Sequence, residues 1–224
     1  MPKIAVASKV AAVQRYGGNI VWVESNNRIP TSEEYDATAL AIQEETGANP
    51  VHPYDDLRTI AGQATCALEL LEEVPDIDYL LAPVGGGGLL SGTCSTAAAL
   101  ATGTKVVGCE PEKADDAWRS FQEGTIVPQT DPQTIADGLR TSLGEYTFPI
   151  IAANVSEIVT VSEDAILRSM RLIWETMKIV IEPSAAVPVA ALLEKKISGH
   201  ADRIGVILSG GNVDLDSLPD WPEL

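Results

Sequence analysis

The chain has 224 residues, 45% of them hydrophobic and 21% charged, so it is large enough to bury a core and is not globally disordered. Its 32 acidic and 15 basic side chains give a net charge of −17, which argues against nucleic acid or an anionic membrane surface as a partner. Three cysteines without a CxxC spacing indicate reduced thiols and a cytoplasmic location.

Short apolar runs rich in β-branched residues alternate with helical patterns along the chain. A capping box, Thr31 with Glu34, opens the first predicted helix, which is expected to stop near Gly47. The uncharged stretch 79–104 is interrupted by Pro83 and a glycine run, so it predicts a strand, a turn and a helix rather than a membrane span. The predicted strands are 20–23, 77–84, 105–109, 158–161 and 203–208, and the predicted helices are 31–47, 58–71, 89–100, 115–122, 163–178 and 185–195. This alternation predicts an α/β fold, with a mainly parallel sheet and helices on both faces.

Two of the predicted strands end in glycine-rich turns, at 85–88 and 209–212. In parallel α/β sheets, ligands bind at the carboxyl ends of the strands. The first turn, made of Gly85, Gly86, Gly87 and Gly88, opens a helix, so its backbone N–H groups and the helix dipole favour a phosphate. The alternative is a tight turn that allows close packing, but four consecutive glycines lose much backbone entropy for packing alone.

Other positions carry weaker signals. Ser209, in the second turn, offers a hydroxyl to a ring nitrogen of a flat heteroaromatic group, or it only caps the strand. The acidic run 110–116 suits Mg²⁺ or Ca²⁺, or it complements the positive end of a helix dipole. Gly138 lies in a long loop where the backbone could approach a planar ligand. Glu182 either places a carboxylate in the site or belongs to an ordinary Pro-Ser helix start.

In this order, the motifs resemble those of the serine racemase and threonine/serine dehydratase family, the fold-type II enzymes that depend on pyridoxal 5′-phosphate (PLP). The resemblance covers essentially the whole chain, and the tetraglycine and SGGN motifs are specific. It implies a fold like that of the tryptophan synthase β-subunit, present here in incomplete form. The matching stretches are HPYDD (52–56), IAGQAT (60–65), PVGGGGLLSG (83–92), EPEKADD (110–116), TIADGLRTSLG (134–144), EPSAAVPVAA (182–191) and SGGNVDL (209–215).

The resemblance also implies roles for individual residues. Gly85, Gly86, Gly87 and Gly88 would hold the cofactor phosphate, and Ser209 would meet the pyridine nitrogen. A neutral hydroxyl leaves that nitrogen largely unprotonated, so the ring is a weaker electron sink than it would be beside an aspartate. The remaining implied positions are Gly138, Glu182 and Asn212 near the cofactor, and Glu110, Asp116 and the Ala114 carbonyl as a divalent-cation site.

The family's Ser-Phe-Lys-type motif, whose lysine forms the Schiff base and moves the α-proton, has no counterpart in the chain. The family's Ser-x-Gly-Asn-His motif has none either. Residues 1–55 would then be the remnant of the small domain and residues 56–224 most of the large one. The resemblance thus implies about the last two thirds of an enzyme, with no catalytic residue of its own. The lysines, none of which has such a context, are Lys3, Lys9, Lys105, Lys113, Lys178, Lys195 and Lys196.

These implications leave three functional hypotheses. In the first, the chain is part of an enzyme that removes the α-proton of a hydroxy-amino acid and then eliminates the β-hydroxyl or racemises the substrate. That enzyme would be a homodimer or would be completed by an N-terminal segment. In the second, the chain is a non-catalytic PLP or phosphate-ligand binder, or a regulatory partner of a full-length relative. The third is a nucleotide or sugar-phosphate binder that uses the same glycine turn.

Overall fold

The computed structural model describes residues 1–3, 5–25, 32–101 and 103–214, which form two compact units. The first unit comprises residues 1–51 with residue 214, and the second comprises residues 52–213. The predicted boundary at 55/56 lies four residues later, and its interpretation as the junction of a small-domain remnant with a large domain stays a prediction. Within the described residues, no helix combines the length and apolar character needed to cross a bilayer.

The first unit contains two helices, α1 (Ala7–Arg15) and α2 (Ser32–Thr46). Helix α2 stops where the sequence predicts, because Gly47 adopts a φ of 69° and donates its N–H to the Gln43 carbonyl. The predicted cap Thr31 lies outside the described residues. The strand predicted at 20–23 is wrong: among the described residues this segment has only isolated backbone bonds to Met1, and no neighbouring strand extends them into a ladder.

The second unit is built on a four-stranded parallel sheet in the order β3-β2-β1-β4. The strands are β1 (Tyr79–Pro83), β2 (Lys105–Pro111), β3 (Glu157–Val161) and β4 (Ile204–Val206). The helices are α3 (Leu57–Glu73), α4 (Gly88–Leu100), α5 (Asp116–Glu123), α6 (Thr147–Asn154), α7 (Glu163–Met177) and α8 (Pro183–Leu193), with a short 3₁₀ turn at Asp137–Leu139.

Alternate residues of the strands enter two hydrophobic cores on opposite faces of the sheet. Leu81 and its register neighbour Val107 pack with α7 and α8, whereas Leu80 and Val106 pack with α3, α4 and α6. Since successive strand side chains point to opposite faces, helices cover both sides. The predicted α/β fold with a parallel sheet is therefore confirmed.

Helices α3 and α4 pack closely because a glycine faces the partner backbone. A Cβ added at Gly92 would lie 2.5 Å from the backbone nitrogen of Ala64 and 2.7 Å from the carbonyl oxygen of Ile60. We expect Gly92→Ala to lower the free energy of unfolding by about 2 kcal/mol, measured by urea denaturation. Gly62→Ala on α3, where none of the described residues lies within 4 Å of the added Cβ, serves as the control and should stabilise by about 1 kcal/mol. Equal effects of the two variants would contradict the close packing.

Candidate functional site

The two glycine-rich turns leave the same edge of the sheet. Strands β1 and β4 are parallel neighbours, with Leu81 paired to Val206. The turn 85–88 follows β1 and the turn 209–212 follows β4, so both turns lie at the carboxyl ends of adjacent strands. This is the edge at which α/β sheets bind their ligands.

The first turn places several backbone N–H donors in a buried part of the second unit. All four glycines, Gly85–Gly88, are buried, and Gly87 adopts a φ of 89° immediately before α4 begins. Among the described residues, no acceptor receives a hydrogen bond from the N–H groups of residues 85–89, although Val84 N–H donates to Cys109 and Ser91 N–H donates to Gly87. A buried N–H group without an acceptor is costly, and several of them at a helix start suit an anion. This geometry favours the phosphate interpretation over close packing alone.

Glu182 organises the second turn. Its backbone N–H donates to the Gly210 carbonyl at 3.1 Å, and its carboxylate accepts the Asn212 N–H at 3.0 Å. Gly210 has a φ of 91°, and a Cβ there would come within 2.6 Å of Glu182 Oε1. The carboxylate therefore fixes the turn, and only glycine fits beneath it.

Gly138 connects the two turns. Its N–H donates to Ser184 Oγ at 3.1 Å, at the start of α8 next to Glu182. On the other side, a Cβ added at Gly85 would lie 3.1 Å from the Gly138 carbonyl oxygen. Ser209 is half-buried directly before Gly210, and its hydroxyl has no hydrogen-bond partner among the described residues. The structure thus brings together the glycine turn, Gly138, Glu182 and the second turn, while their roles toward a ligand stay predictions.

The predicted metal residues show features of both interpretations. Glu110 is fully buried and caps α5, since its carboxylate accepts N–H groups from Ala117 at 3.0 Å and Trp118 at 2.9 Å. Asp116 Oδ1 accepts a hydrogen bond from Gln129 at 3.0 Å, whereas Asp116 Oδ2 is buried and has no hydrogen-bond partner among the described residues. The hydrogen bonds of Glu110 fit the helix-dipole interpretation, and the free position at Asp116 Oδ2 fits a cation site.

Burial perturbs the titration of both carboxyl groups. It raises the pKa of Glu110 well above its ordinary value, and the neighbouring Asp116 adds to that effect. Burial also raises the pKa of Asp116 to about 7, although hydrogen bonds, chiefly from Gln129, oppose it. Among the described residues, no group of three or more His, Cys, Asp or Glu side chains could hold a metal ion. The predicted set has two carboxylates and the buried Ala114 carbonyl, and it stays a prediction.

Residues to which the sequence analysis gave no role lie beneath the first turn. A Cβ added at Gly86 would overlap the Tyr54 ring. Asp55 accepts backbone N–H groups at the start of α6, and the Thr147 hydroxyl donates to the Gly86 carbonyl at 2.8 Å. Gln129 was missed as well. No local sequence pattern predicts these contacts, because each of them joins segments that are distant in sequence.

Comparison with known proteins identifies the family. The model of the family "Pyridoxal-phosphate dependent enzyme" matches residues 1–210. The β-hydroxyaspartate dehydratase of Paracoccus denitrificans (strain Pd 1222) is 48% identical over 98% of this chain and 68% of its own length. The crystal structure of serine racemase from Dictyostelium discoideum matches with a TM-score of 0.86 at 42% identity, over 96% of this chain and 68% of the other. The crystal structure of the threonine deaminase of T.th. matches with a TM-score of 0.84 at 43% identity, over 96% and 69% of the two chains.

The chain thus spans about two thirds of the length of the relatives it matches. The structural matches extend over 96% of the chain and the sheet is parallel, so the predicted fold-type II architecture is confirmed. The family predicted from the motifs is confirmed as well. The chain belongs to the pyridoxal-phosphate dependent enzyme family, within the group that includes the serine racemases and threonine deaminases.

Proposed function

We propose that this chain supplies the cofactor-binding part of a PLP-dependent lyase or racemase that acts on hydroxy-amino acids. The observation that carries the proposal is the set of N–H groups of the buried glycines 85–88 and of Leu89, which have no acceptor among the described residues. The names of the relatives support the substrate class, since they include β-hydroxyaspartate dehydratase, serine racemase and L-threo-3-hydroxyaspartate ammonia-lyase.

The donors at the edge of the sheet fit the cofactor's functional groups. Backbone N–H groups of the first glycine turn would hold the phosphate, and the N-terminal end of α4 would add its partial positive charge. Ser209 would offer its hydroxyl to the ring nitrogen, while Glu182 and Asn212 keep that turn in place. Gly138 packs closely against the start of α8, since a Cβ added there would lie 2.9 Å from Ser184 Oγ. When bound, PLP stabilises negative charge at the α-carbon of an amino acid.

The lysines favour a second candidate function, a non-catalytic PLP or phosphate-ligand binder. Lys105 begins β2 and pairs with Tyr79, at the amino ends of the strands and thus at the edge opposite the glycine turns. Lys178 and Lys195 follow the C-terminal ends of α7 and α8. We propose that none of the chain's lysines anchors the cofactor, and that catalysis requires a lysine from a complementing segment or a partner chain.

A homodimer is the assembly we propose for the complete enzyme.

We expect the purified 224-residue chain to bind PLP at least about 100-fold more tightly than pyridoxal, which lacks the phosphate, because the glycine turn would lose several charge-assisted hydrogen bonds. Isothermal calorimetry measures both affinities. We also expect no covalent adduct after borohydride reduction and no ammonia release from serine or threonine. Equal affinity for PLP and pyridoxal would refute the phosphate site.

Other outcomes distinguish the remaining hypotheses. Ammonia release by the chain alone would support the enzyme and overturn the proposal that its lysines do not anchor the cofactor. Retention of a nucleotide or a sugar phosphate in preference to PLP would favour a different phosphate ligand at the same turn. Appearance of activity after addition of the N-terminal third of a relative would show that the chain forms part of a complete site.

A further inference from the structure

We propose that Asp55 and Thr147 act as positioning residues that hold the first glycine turn in its anion-binding conformation. This inference rests on the proposed function, because it assigns these residues to the same phosphate site. Neither side chain needs to touch the ligand. Their contacts run from the segment before α3, through the start of α6, to the Gly86 carbonyl.

Asp55 caps α6 from a distant part of the chain. Its Oδ1 accepts the N–H groups of Tyr146 at 2.9 Å and Thr147 at 3.1 Å, and its Oδ2 accepts that of Glu145 at 2.9 Å. A carboxylate at this end of a helix is favourable, because it satisfies donors that the helix itself leaves unpaired. A Cβ added at Gly144 would overlap the Asp55 carboxyl group, so the loop before α6 is fitted to this side chain.

The backbone of the Asp55 segment is fixed in turn by His52. Asp55 N–H donates to His52 Nδ1 at 2.7 Å, and the His52 and Tyr54 rings meet edge to face with their centroids 4.7 Å apart. The Tyr54 ring lies against Gly86, and a Cβ added at Gly88 would be 3.0 Å from Tyr54 Cα. The 52–55 segment therefore packs against the first glycine turn at Gly86 and Gly88.

Thr147 transmits this constraint to the turn. The residue is fully buried, its hydroxyl donates to the Gly86 carbonyl at 2.8 Å, and the same oxygen accepts the Gly144 N–H at 2.8 Å. In a planar trans peptide, the carbonyl and the following N–H point in opposite directions. With the Gly86 carbonyl held by the Thr147 hydroxyl, the Gly87 N–H must point away from that hydroxyl. Glycine has little intrinsic resistance to peptide rotation, so an external constraint of this kind is effective here.

The negative charge of Asp55 argues against direct contact with an anion. The carboxylate would repel a phosphate dianion, but three backbone N–H groups from residues 145–147 converge on it. Its charge is thus used to order the loop, and the loop presents the Thr147 hydroxyl. Removal of the Asp55 carboxylate is therefore expected to change the conformation of the glycine turn rather than to remove a contact with the ligand.

The test compares Asp55→Asn and Thr147→Val with two matched controls at the opposite edge of the sheet. Asp78→Asn is the carboxylate control, because Asp78 also accepts backbone N–H groups, from Asp202 at 2.8 Å and Arg203 at 2.9 Å. Thr104→Val is the hydroxyl control, because Thr104 donates to the Ile77 carbonyl at 2.6 Å. Thr147→Ser retains the hydroxyl and serves as the rescue variant.

The readouts are the affinity for PLP, the affinity for inorganic phosphate and the amide hydrogen exchange of residues 85–88. We expect Asp55→Asn and Thr147→Val to weaken both affinities about tenfold, equivalent to one hydrogen bond, and to accelerate exchange in the turn. The controls should lose thermal stability to a similar degree but keep the affinities, and Thr147→Ser should restore binding. Unchanged affinity in both variants, or an equal loss in the controls, would overturn the inference.

The same measurements separate this inference from the proposed function. If the wild-type chain binds neither PLP nor phosphate, the proposed function is refuted. The exchange data then decide the inference alone: selective acceleration at residues 85–88 in Asp55→Asn supports the positioning role, and uniform acceleration overturns it. If the wild-type chain binds PLP and the variants bind it equally well, only the inference is refuted.

Discussion

Gly86→Val is expected to abolish binding of PLP and of inorganic phosphate, with a loss of affinity of at least about 100-fold. The new Cβ would overlap the Tyr54 ring, so either the ring or the turn must move. Movement of the turn withdraws several N–H groups from the anion at once, since they belong to consecutive peptides. Calorimetry with both ligands measures the loss, and near-ultraviolet circular dichroism establishes that the variant is folded.

Gly103→Val provides the matched control for this substitution. In the part of the chain that the structure describes, nothing lies within 4 Å of a Cβ added at Gly103. This residue is close in sequence to the start of β2, at the edge of the sheet opposite the turn. The control should keep wild-type affinity for both ligands. If Gly86→Val also keeps it, the first glycine turn does not bind phosphate, and the conclusion drawn from its buried donors is incorrect.

The second large effect is a loss of stability as the pH rises in metal-free buffer. Burial raises the pKa of Asp116 from 3.8 to about 7, so between these values the folded chain holds a proton that the unfolded chain releases. The stabilisation is fully present below about pH 4 and is lost as the pH approaches and passes about 7. The difference corresponds to a decrease on the order of 4 kcal/mol in the free energy of unfolding. Burial shifts the pKa of Glu110 in the same direction and adds to the decrease.

Urea denaturation between about pH 4 and pH 8, with a chelator present, measures this decrease. Asp116→Asn should reduce the slope and leave the part that Glu110 contributes. Asp115→Asn should leave it, because Asp115 is partly exposed and paired with Arg119 at 2.8 Å. If the predicted cation site is correct, millimolar Mg²⁺ or Ca²⁺ should restore stability at about pH 8 in the wild-type chain but not in Asp116→Asn. A pH slope that no cation reverses would favour the helix-capping role of Glu110 alone.

Local patterns were sufficient to predict the individual strands of the sheet and the first glycine turn. Strand β1, the four glycines and α4 follow one another within a short stretch, and their apolar content and glycine run are visible without knowledge of the fold. The stop of α2 at Gly47 was predictable for the same reason. Each of these features depends on residues that are neighbours in sequence.

The failures have a common physical cause in contacts between distant segments. The apolar run 20–23 has strand-like composition, but it forms no strand without a partner to pair with. Helix α6 escaped notice because it is short and its N-terminus is capped by Asp55 rather than by a nearby residue. The hydrogen bond between Gln129 and Asp116 likewise joins a loop to a helix start, and no spacing rule anticipates it.

The main chain, rather than charged side chains, supplies the donors of the first glycine turn. Amide hydrogens do not titrate over the range in which proteins are stable, so the turn would keep its donors in acidic and alkaline solution alike, and only the phosphate would change its ionisation. The phosphate affinity of such a turn also cannot be adjusted by replacing a lysine with an arginine or the reverse. Relatives that prefer different amino-acid substrates would then have to differ at residues outside this turn, while the binding of the PLP phosphate stays the same.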